Sequence, residues 1–335
     1  MTPTAAVWSG HGFSIREMPW PDLAEGEVLV EVEMSTVCGS DLHTVGGHRS
    51  TPVPTILGHE SVGRVVQSNG QATVGDRVVW TVGTSCGACR RCLRGIPQKC
   101  LHVRKYGHEA MTDEWSLNGG FASHVHLLNG TGIVAVPEHL PAGLLAPAGC
   151  ATATITCAAR RVNLDAGDAV VVLGCGMLGL TAVAYARDRG AASVLACDPD
   201  PARRRQAMAL GADAACSPDE LTTTTATFGV DVVFEVSGQS SSVSAALAIV
   251  ELGGRIALVG SVFPGPSVDV NPERIVRDLV TVVGSHNYAL PDLVEAVDFL
   301  GRTAALSSVV GPPRPLRDIE ATFSGEGYPR SALVP

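Results

Sequence analysis

The sequence predicts an α/β protein of two domains, a compact antiparallel β-barrel followed by a doubly wound parallel sheet. Three observations carry that prediction. The first 130 residues hold short β-like runs closely punctuated by Gly and Pro, as in MPWPD, VGGH, TPVPT and VGD. From about residue 150 onward, apolar strand-like runs alternate with helical stretches, the order of a parallel sheet. One of those runs, Ala169 to Leu173, leads directly into the glycine-rich turn Gly174-Cys-Gly-Met-Leu-Gly179.

Taken in order, Glu27 to Glu33 (EVLVEVE) alternates like a half-buried strand, and Ser61 to Val66 and Arg77 to Trp80 are strand-like. Ala169 to Leu173 (AVVVL) is apolar throughout, as expected when both faces of a sheet are covered. An alanine-rich helix follows to about Arg189, then a strand from Ser193 to Cys197 that ends at Asp198. Further strands are expected at about 230–236, 255–259 and 279–283, with a helix near 241–252. After about residue 287 one helix, Pro291 to Leu300, precedes a Pro-rich end. That tail is too short for a domain and is expected to pack back on the first one. The boundaries are therefore 1–150, 151–286 and 287–335, with the middle part an insertion.

At 335 residues and 45% hydrophobic content the chain can bury two cores. No apolar run is long and uncharged enough to span a bilayer, so no membrane partner is expected. The start, MTPTAAVWSGHGF, lacks the basic and apolar regions of a secretory signal. Ten cysteines without such a signal suit a reducing compartment, and a cytoplasmic enzyme is the expectation. A net charge of −9 argues against a nucleic-acid partner, because binders of nucleic acid show a basic face.

Cys86, Cys89, Cys92 and Cys100 are spaced C-x2-C-x2-C-x7-C. Short loops of this kind let four thiolates wrap one tetrahedral Zn²⁺. A lobe of about 84–102 would then be held by a structural zinc, with Arg90, Arg91, Arg94 and Lys99 partly offsetting the thiolate charge. Such an ion has no open position and does no chemistry. The alternative is a reduced, cysteine-rich loop.

The turn after AVVVL fits a dinucleotide. Gly174 permits the tight turn, Gly176 lets a pyrophosphate approach the backbone, and Gly179 lets the helix pack against the sheet. Met177 and Leu178 open the helix whose N-terminal N–H groups would face the phosphates. Asp198 would accept hydrogen bonds from the adenosine ribose and repel a 2′-phosphate, which favours NAD(H) over NADP(H). Arg203, followed by Arg204 and Arg205, could soften that preference or form a solvated helix face.

Two motifs remain, Cys38-Gly-Ser-Asp-Leu-His43 and Gly58-His59-Glu60-Ser-Val-Gly63. With these in place, the chain resembles the zinc-dependent medium-chain dehydrogenase/reductase family, the alcohol and polyol dehydrogenases, over nearly its whole length. The resemblance implies a GroES-like catalytic domain, a four-cysteine lobe, a Rossmann domain and a returning C-terminus. It implies two Zn²⁺ per chain, one structural and one catalytic, with Cys38, His59 and Cys150 as ligands of the second. Glu60 matches an acid beside the metal that can transiently coordinate it. Asp41 matches a carboxylate that orients the ligand histidine. Ser40 matches the hydroxyl that takes the substrate proton, and His43 would pass it on. Three ligands leave zinc an open position for Lewis-acid chemistry on a substrate oxygen.

The implied reaction moves a hydride between a small-molecule alcohol and NAD, giving an aldehyde or ketone, in a homodimer or homotetramer. Within the family, the stretches CGSDLHTVGGHRSTPVPTILGHE, APAGCATAT, GSVFPGPSVDVNPERIV and GSHNY resemble alcohol dehydrogenases associated with phosphonate metabolism. A small hydroxyalkylphosphonate is the substrate this narrower likeness suggests. His48 and Arg49 after the first motif, or Arg104, Lys105 and His108 after the zinc lobe, could meet an anion or be ordinary surface charge. A polyol, amino-alcohol or sugar dehydrogenase is the runner-up. A zinc-free quinone or enoyl reductase would lack the Cys38, His59 and Cys150 set. A non-enzymatic zinc-ribbon protein would need no glycine turn paired with Asp198.

Overall fold

The computed structural model describes residues 2–324 and 327–335. The chain forms two compact units, Met1–Cys150 together with Tyr288–Pro335, and Ala151–Asn287.

The first unit is organised around Val28–Thr36, whose alternating apolar residues face the core. This strand pairs antiparallel with Glu60–Ser68, with His124–Leu127 and with Arg330–Val334. Arg77–Thr84 and Thr131–Ala135 extend the sheet beyond Glu60–Ser68, and Val310–Pro315 at its other edge makes seven strands in all. A second, three-stranded sheet joins Phe13–Glu17, Thr4–Trp8 and Thr55–Ile56. Ala5, Val7, Ile56, Phe121 and Leu333 share one core, while Val30, Val78, Trp80 and Trp115 form another.

The C-terminal tail joins this unit through strands as well as the helix Leu290–Arg302. Val310–Pro315 pairs parallel with Arg330–Val334, which sets Ala332 opposite Thr36. The Pro-rich end carries no strand signal in sequence, because proline cannot donate to a ladder. Val310–Pro315 lies at the sheet edge, where its prolines are tolerated.

The second unit is a six-stranded parallel sheet in the order Ala214–Cys216, Ser193–Cys197, Ala169–Leu173, Val232–Glu235, Arg255–Leu258 and Thr281–Gly284. The chain's first strand here is central, so the order reverses on either side of it. Ligands bind open α/β sheets at such a reversal, beyond the carboxyl ends of the strands. Ala169–Leu173 is buried along its whole length, as its uninterrupted apolar sequence requires. Among the described residues no single helix is long and apolar enough to cross a membrane.

Candidate metal centres and dinucleotide turn

Thr36 lies opposite Glu60 in the antiparallel pair of Val28–Thr36 with Glu60–Ser68. Residues just after the first strand therefore meet residues just before the second. Cys38 follows one strand by two positions and His59 immediately precedes the other. Cys38 also caps the short helix Gly39–Val45, where its backbone N–H donates to Asp41 Oδ2 at 2.9 Å. Asp41 Oδ1 accepts from the Gly58 N–H at 3.4 Å, so one buried carboxylate ties both loops together.

Cys150 reaches the same place after the turn Ala146–Gly149. The Tyr288 hydroxyl donates to the Gly149 carbonyl and accepts from the Val82 N–H at 3.2 Å, which pins that turn. Cys38, His59, Glu60 and Cys150 then offer one donor atom each, all within 4.8 Å of one another. The Cys38 and Cys150 sulfurs are 3.9 Å apart. A disulfide would need about 2.05 Å. Two thiolates at about 2.3 Å from a tetrahedral zinc must stand about 3.8 Å apart, and the pair fits that geometry.

Electrostatics agrees with a cation site. The hydrogen bond shared with Cys150 lowers the Cys38 thiol well below its ordinary range, helped by Arg330 and His59 against the cost of burial. The same contact and burial push Cys150 up, so Cys38 ionises first. Burial opposes charge on His59, but Asp41 and Cys38 outweigh it and carry the imidazole to about 9. Its Nδ1 is buried without a hydrogen bond, 3.7 Å from Asp41 Oδ1. That separation is too long for the orienting hydrogen bond expected of Asp41. In this structure Asp41 acts as a nearby charge and as the tether of the two loops. A metal entering here would displace protons from His59 and Cys150.

Glu60 is fully buried and already engaged. Its Oε2 accepts from Thr36 Oγ1 at 2.7 Å and from Arg330 Nε at 2.8 Å, and its Oε1 accepts from Arg330 Nη2 at 3.0 Å. Burial pushes the Glu60 carboxyl up and Arg330 pulls it back; the two-pronged contact is that of an ion pair. Arg330 Nη2 also lies 3.7 Å from Cys38 Sγ. Sequence reasoning missed Arg330. Its one signal was a lone charge opening the apolar run RSALV, and its partner is 270 positions away.

Ser40 is half-buried with Oγ 3.5 Å from His59 Nε2. His43 lies three residues further along the same helix and is exposed.

In the four-cysteine lobe the sulfurs of Cys86, Cys89, Cys92 and Cys100 all lie within 4.8 Å of one another. Sulfur separations are 3.5 Å for Cys89–Cys92 and for Cys86–Cys100, and 3.8 Å for Cys89–Cys100. Backbone N–H groups of Cys86 and His102 point at the Cys100 sulfur, each at 3.3 Å. Others, from Leu101 and Cys92, draw the Cys89 thiol down to about 5. Arg91 Nη1 donates to the Lys99 carbonyl at 2.9 Å, so this cation also braces the lobe. We expect Cys89→Ser to cost one bound zinc and to open the lobe to trypsin at Arg90, Arg91 or Arg94. Metal analysis with limited proteolysis checks this, and an unchanged zinc content would reject the site.

The glycine turn lies at the carboxyl end of the central strand of the second unit. Gly174 has φ +98°, outside the range of ordinary side chains. A Cβ on Gly179 would stand only 1.8 Å from the Gly174 carbonyl oxygen, so the helix can approach only with glycine there. Gly176 caps Met177–Asp188, and a Cβ on it would meet nothing within 4 Å. That open face beside the first helical N–H groups, including those of Met177 and Leu178, is room for a phosphate.

Asp198 is buried and does more than the sequence implied. Its Oδ2 accepts from the Cys175 N–H at 2.7 Å and its Oδ1 from the Asp200 N–H at 2.8 Å, which lashes the turn to the end of the next strand. Arg203 Nη1 is 4.0 Å from the same carboxylate. Arg204 Nη1 instead donates to the Asp198 carbonyl at 2.7 Å.

Comparison with known proteins places this arrangement. Residues 24–138 match the alcohol dehydrogenase GroES-like domain and residues 178–302 match zinc-binding dehydrogenase. The sorbitol dehydrogenase of Halalkalibacterium halodurans is 31% identical over 316 residues, covering 88% of each chain. The crystal structure of an alcohol dehydrogenase from Thermotoga maritima aligns with a TM-score of 0.93 at 28% identity, over 100% of both chains. A Sinorhizobium meliloti protein described as a zinc-binding dehydrogenase, solved with NADP bound, aligns with a TM-score of 0.88 at 25% identity, again over 100% of both. With a GroES-like unit, a parallel-sheet unit and two clusters of zinc-type donors, the chain belongs to the zinc-binding dehydrogenase family.

Proposed function

We infer that the protein is a zinc alcohol dehydrogenase that interconverts a small alcohol and its carbonyl compound with NAD(H). The observation that supports it most is the convergence of Cys38, His59 and Cys150 donors at the sheet end, where Glu60 is held by Arg330. In this reading Cys38, His59 and Cys150 would hold the catalytic zinc, while Arg330 keeps Glu60 engaged. When bound, zinc would supply a Lewis acid for the substrate oxygen, and a nicotinamide cofactor on the Gly174–Gly179 turn would supply the hydride acceptor. Ser40 takes the hydroxyl proton and His43, exposed one helical turn further on, releases it to water. The reaction then balances as alcohol to carbonyl, with one hydride and one proton removed. A second zinc, held by Cys86, Cys89, Cys92 and Cys100, has only a structural role.

Asp198 supports NAD over NADP, since a buried carboxylate at the strand end repels a 2′-phosphate. Replacing Asp198 with Ala is expected to raise the NADP-to-NAD ratio of kcat/KM about tenfold or more, the weight of roughly 1.4 kcal/mol of charge repulsion. A wild-type preference for NADP would discredit this role, which the NADP-bound relative makes a real test. The phosphonate-like stretches favour a hydroxyalkylphosphonate as substrate, and the sorbitol dehydrogenase relative favours a polyol. An alcohol screen on the zinc-loaded protein with both cofactors tests the reading; no turnover of any alcohol or carbonyl would overturn it.

A further inference from the structure

Beside the Cys38, His59 and Cys150 donors the first unit places a cluster of cations, and the carboxylate of the neighbouring Glu109 is already occupied. Gly107 packs against Gly58: a Cβ on it would lie 2.5 Å from the Gly58 carbonyl oxygen. This contact brings the His108 ring to 4.7 Å, centroid to centroid, from the His59 ring. Arg49 comes from the loop after the helix that Cys38 caps, and its Nη1 lies 3.1 Å from His108 Nδ1. A guanidinium can only donate, so His108 Nδ1 accepts and the other ring nitrogen carries the proton. Lys105 opens the same segment, and its charge and that of Arg49 both act on His108.

Arg49, Lys105 and His108 are all half-buried. Among the described residues, neither Arg49 nor the Lys105 ammonium forms an ion pair with a carboxylate. Glu109 is the nearby acid, but its carboxylate is held by Arg104 Nε at 2.5 Å and the Lys105 backbone N–H at 2.6 Å. Burial and the repulsion from Arg49 lower the Lys105 pKa, with Glu109 offsetting part of this. Two neighbouring like charges that are partly desolvated and lack a bound acid are stabilised by an anion from solution. A guanidinium, an ammonium and an imidazole N–H suit a group with several oxygens.

We propose that Arg49, Lys105 and His108 form an oxyanion subsite, and that the preferred alcohol carries a phosphonate, phosphate or carboxylate bound there while its hydroxyl meets the metal donors. The substrate half of this proposal rests on the dehydrogenase reading; the subsite itself does not. Two measurements separate them. Calorimetry of methylphosphonate and of acetate with the zinc-loaded protein reads the subsite, using wild type, Arg49→Met, Lys105→Met and the conservative Arg49→Lys. Steady-state kinetics on matched hydroxyalkyl compounds ending in phosphonate, carboxylate or hydroxyl reads the substrate class.

Methylphosphonate is expected to bind wild type and to lose at least about 30-fold in affinity in Arg49→Met, with part of the loss recovered in Arg49→Lys. The kcat/KM ratio of anionic to neutral substrate should fall by a similar factor in Arg49→Met and Lys105→Met, mainly through KM. Tighter acetate than methylphosphonate binding would assign the carboxylate. Binding of methylphosphonate that depends on Arg49, without turnover of any alcohol, would keep the subsite and overturn the dehydrogenase reading. Turnover with equal efficiency on neutral and anionic substrates would overturn the anionic substrate class, and anion binding indifferent to Arg49 and Lys105 would overturn the subsite.

Discussion

Replacing Cys38 with Ser, or His59 with Ala, is expected to abolish alcohol turnover while leaving the protein folded. Each change removes one of the clustered donors and leaves the four-cysteine lobe intact. Zinc content should fall from about two to about one per chain, and kcat/KM by about 10³-fold or more, because the Lewis acid is lost with the ion. The fold should survive because neither side chain contributes to the apolar cores. Circular dichroism, metal analysis and kinetics on one preparation check this. Retained activity in a protein stripped of this zinc would sink the mechanism, and loss of both zincs would show that the two sites are not independent.

Arg330→Met is expected to destabilise the first unit by about 3–5 kcal/mol, the usual cost of leaving one member of a buried pair uncompensated. Glu60 is fully buried, and Arg330 supplies two of the three hydrogen bonds its carboxylate accepts. Without the guanidinium, Glu60 must take up a proton or draw in water. The midpoint of thermal unfolding should drop by roughly 10 °C for a unit of this size. Adding Glu60→Gln to Arg330→Met should recover part of the loss, because a neutral amide needs no counter-charge. A loss under about 1 kcal/mol, or no rescue by the double variant, would mean that the pair does not hold this end of the sheet together.

The chemistry of individual residues was legible because it is local. A C-x2-C-x2-C-x7-C spacing leaves short loops that can close on one ion, and the sulfurs do stand at zinc-compatible distances. Gly174, Gly176 and Gly179 each meet a backbone constraint that only their own turn and helix impose. Strands such as Ala169–Leu173 showed themselves by continuous apolar character, and Val28–Thr36 by alternation. The edge strand Val310–Pro315 was hidden by its prolines, and the three-residue strand Ala214–Cys216 is too short for its pattern to be read.

Other features depend on which strands lie side by side. Asp41 stands 3.7 Å from His59 Nδ1, acts on it as a charge, and also ties two loops together. Asp198 was expected to meet a ribose and repel a 2′-phosphate, and it also holds the glycine turn. Nothing in the order of residues indicates that Arg330 would reach Glu60, or that Arg49 would meet His108 beside His59.

By itself the sequence determined the donor types, the nucleotide-type turn and the two kinds of sheet, since these follow from side-chain chemistry and periodicity within short windows. Only the tertiary structure decided which donors come within reach of one ion, which buried acid has its counter-charge, and which cations have no carboxylate partner among the described residues. Those outcomes depend on strand register across more than a hundred residues, where one step of slippage would turn each side chain to the opposite face.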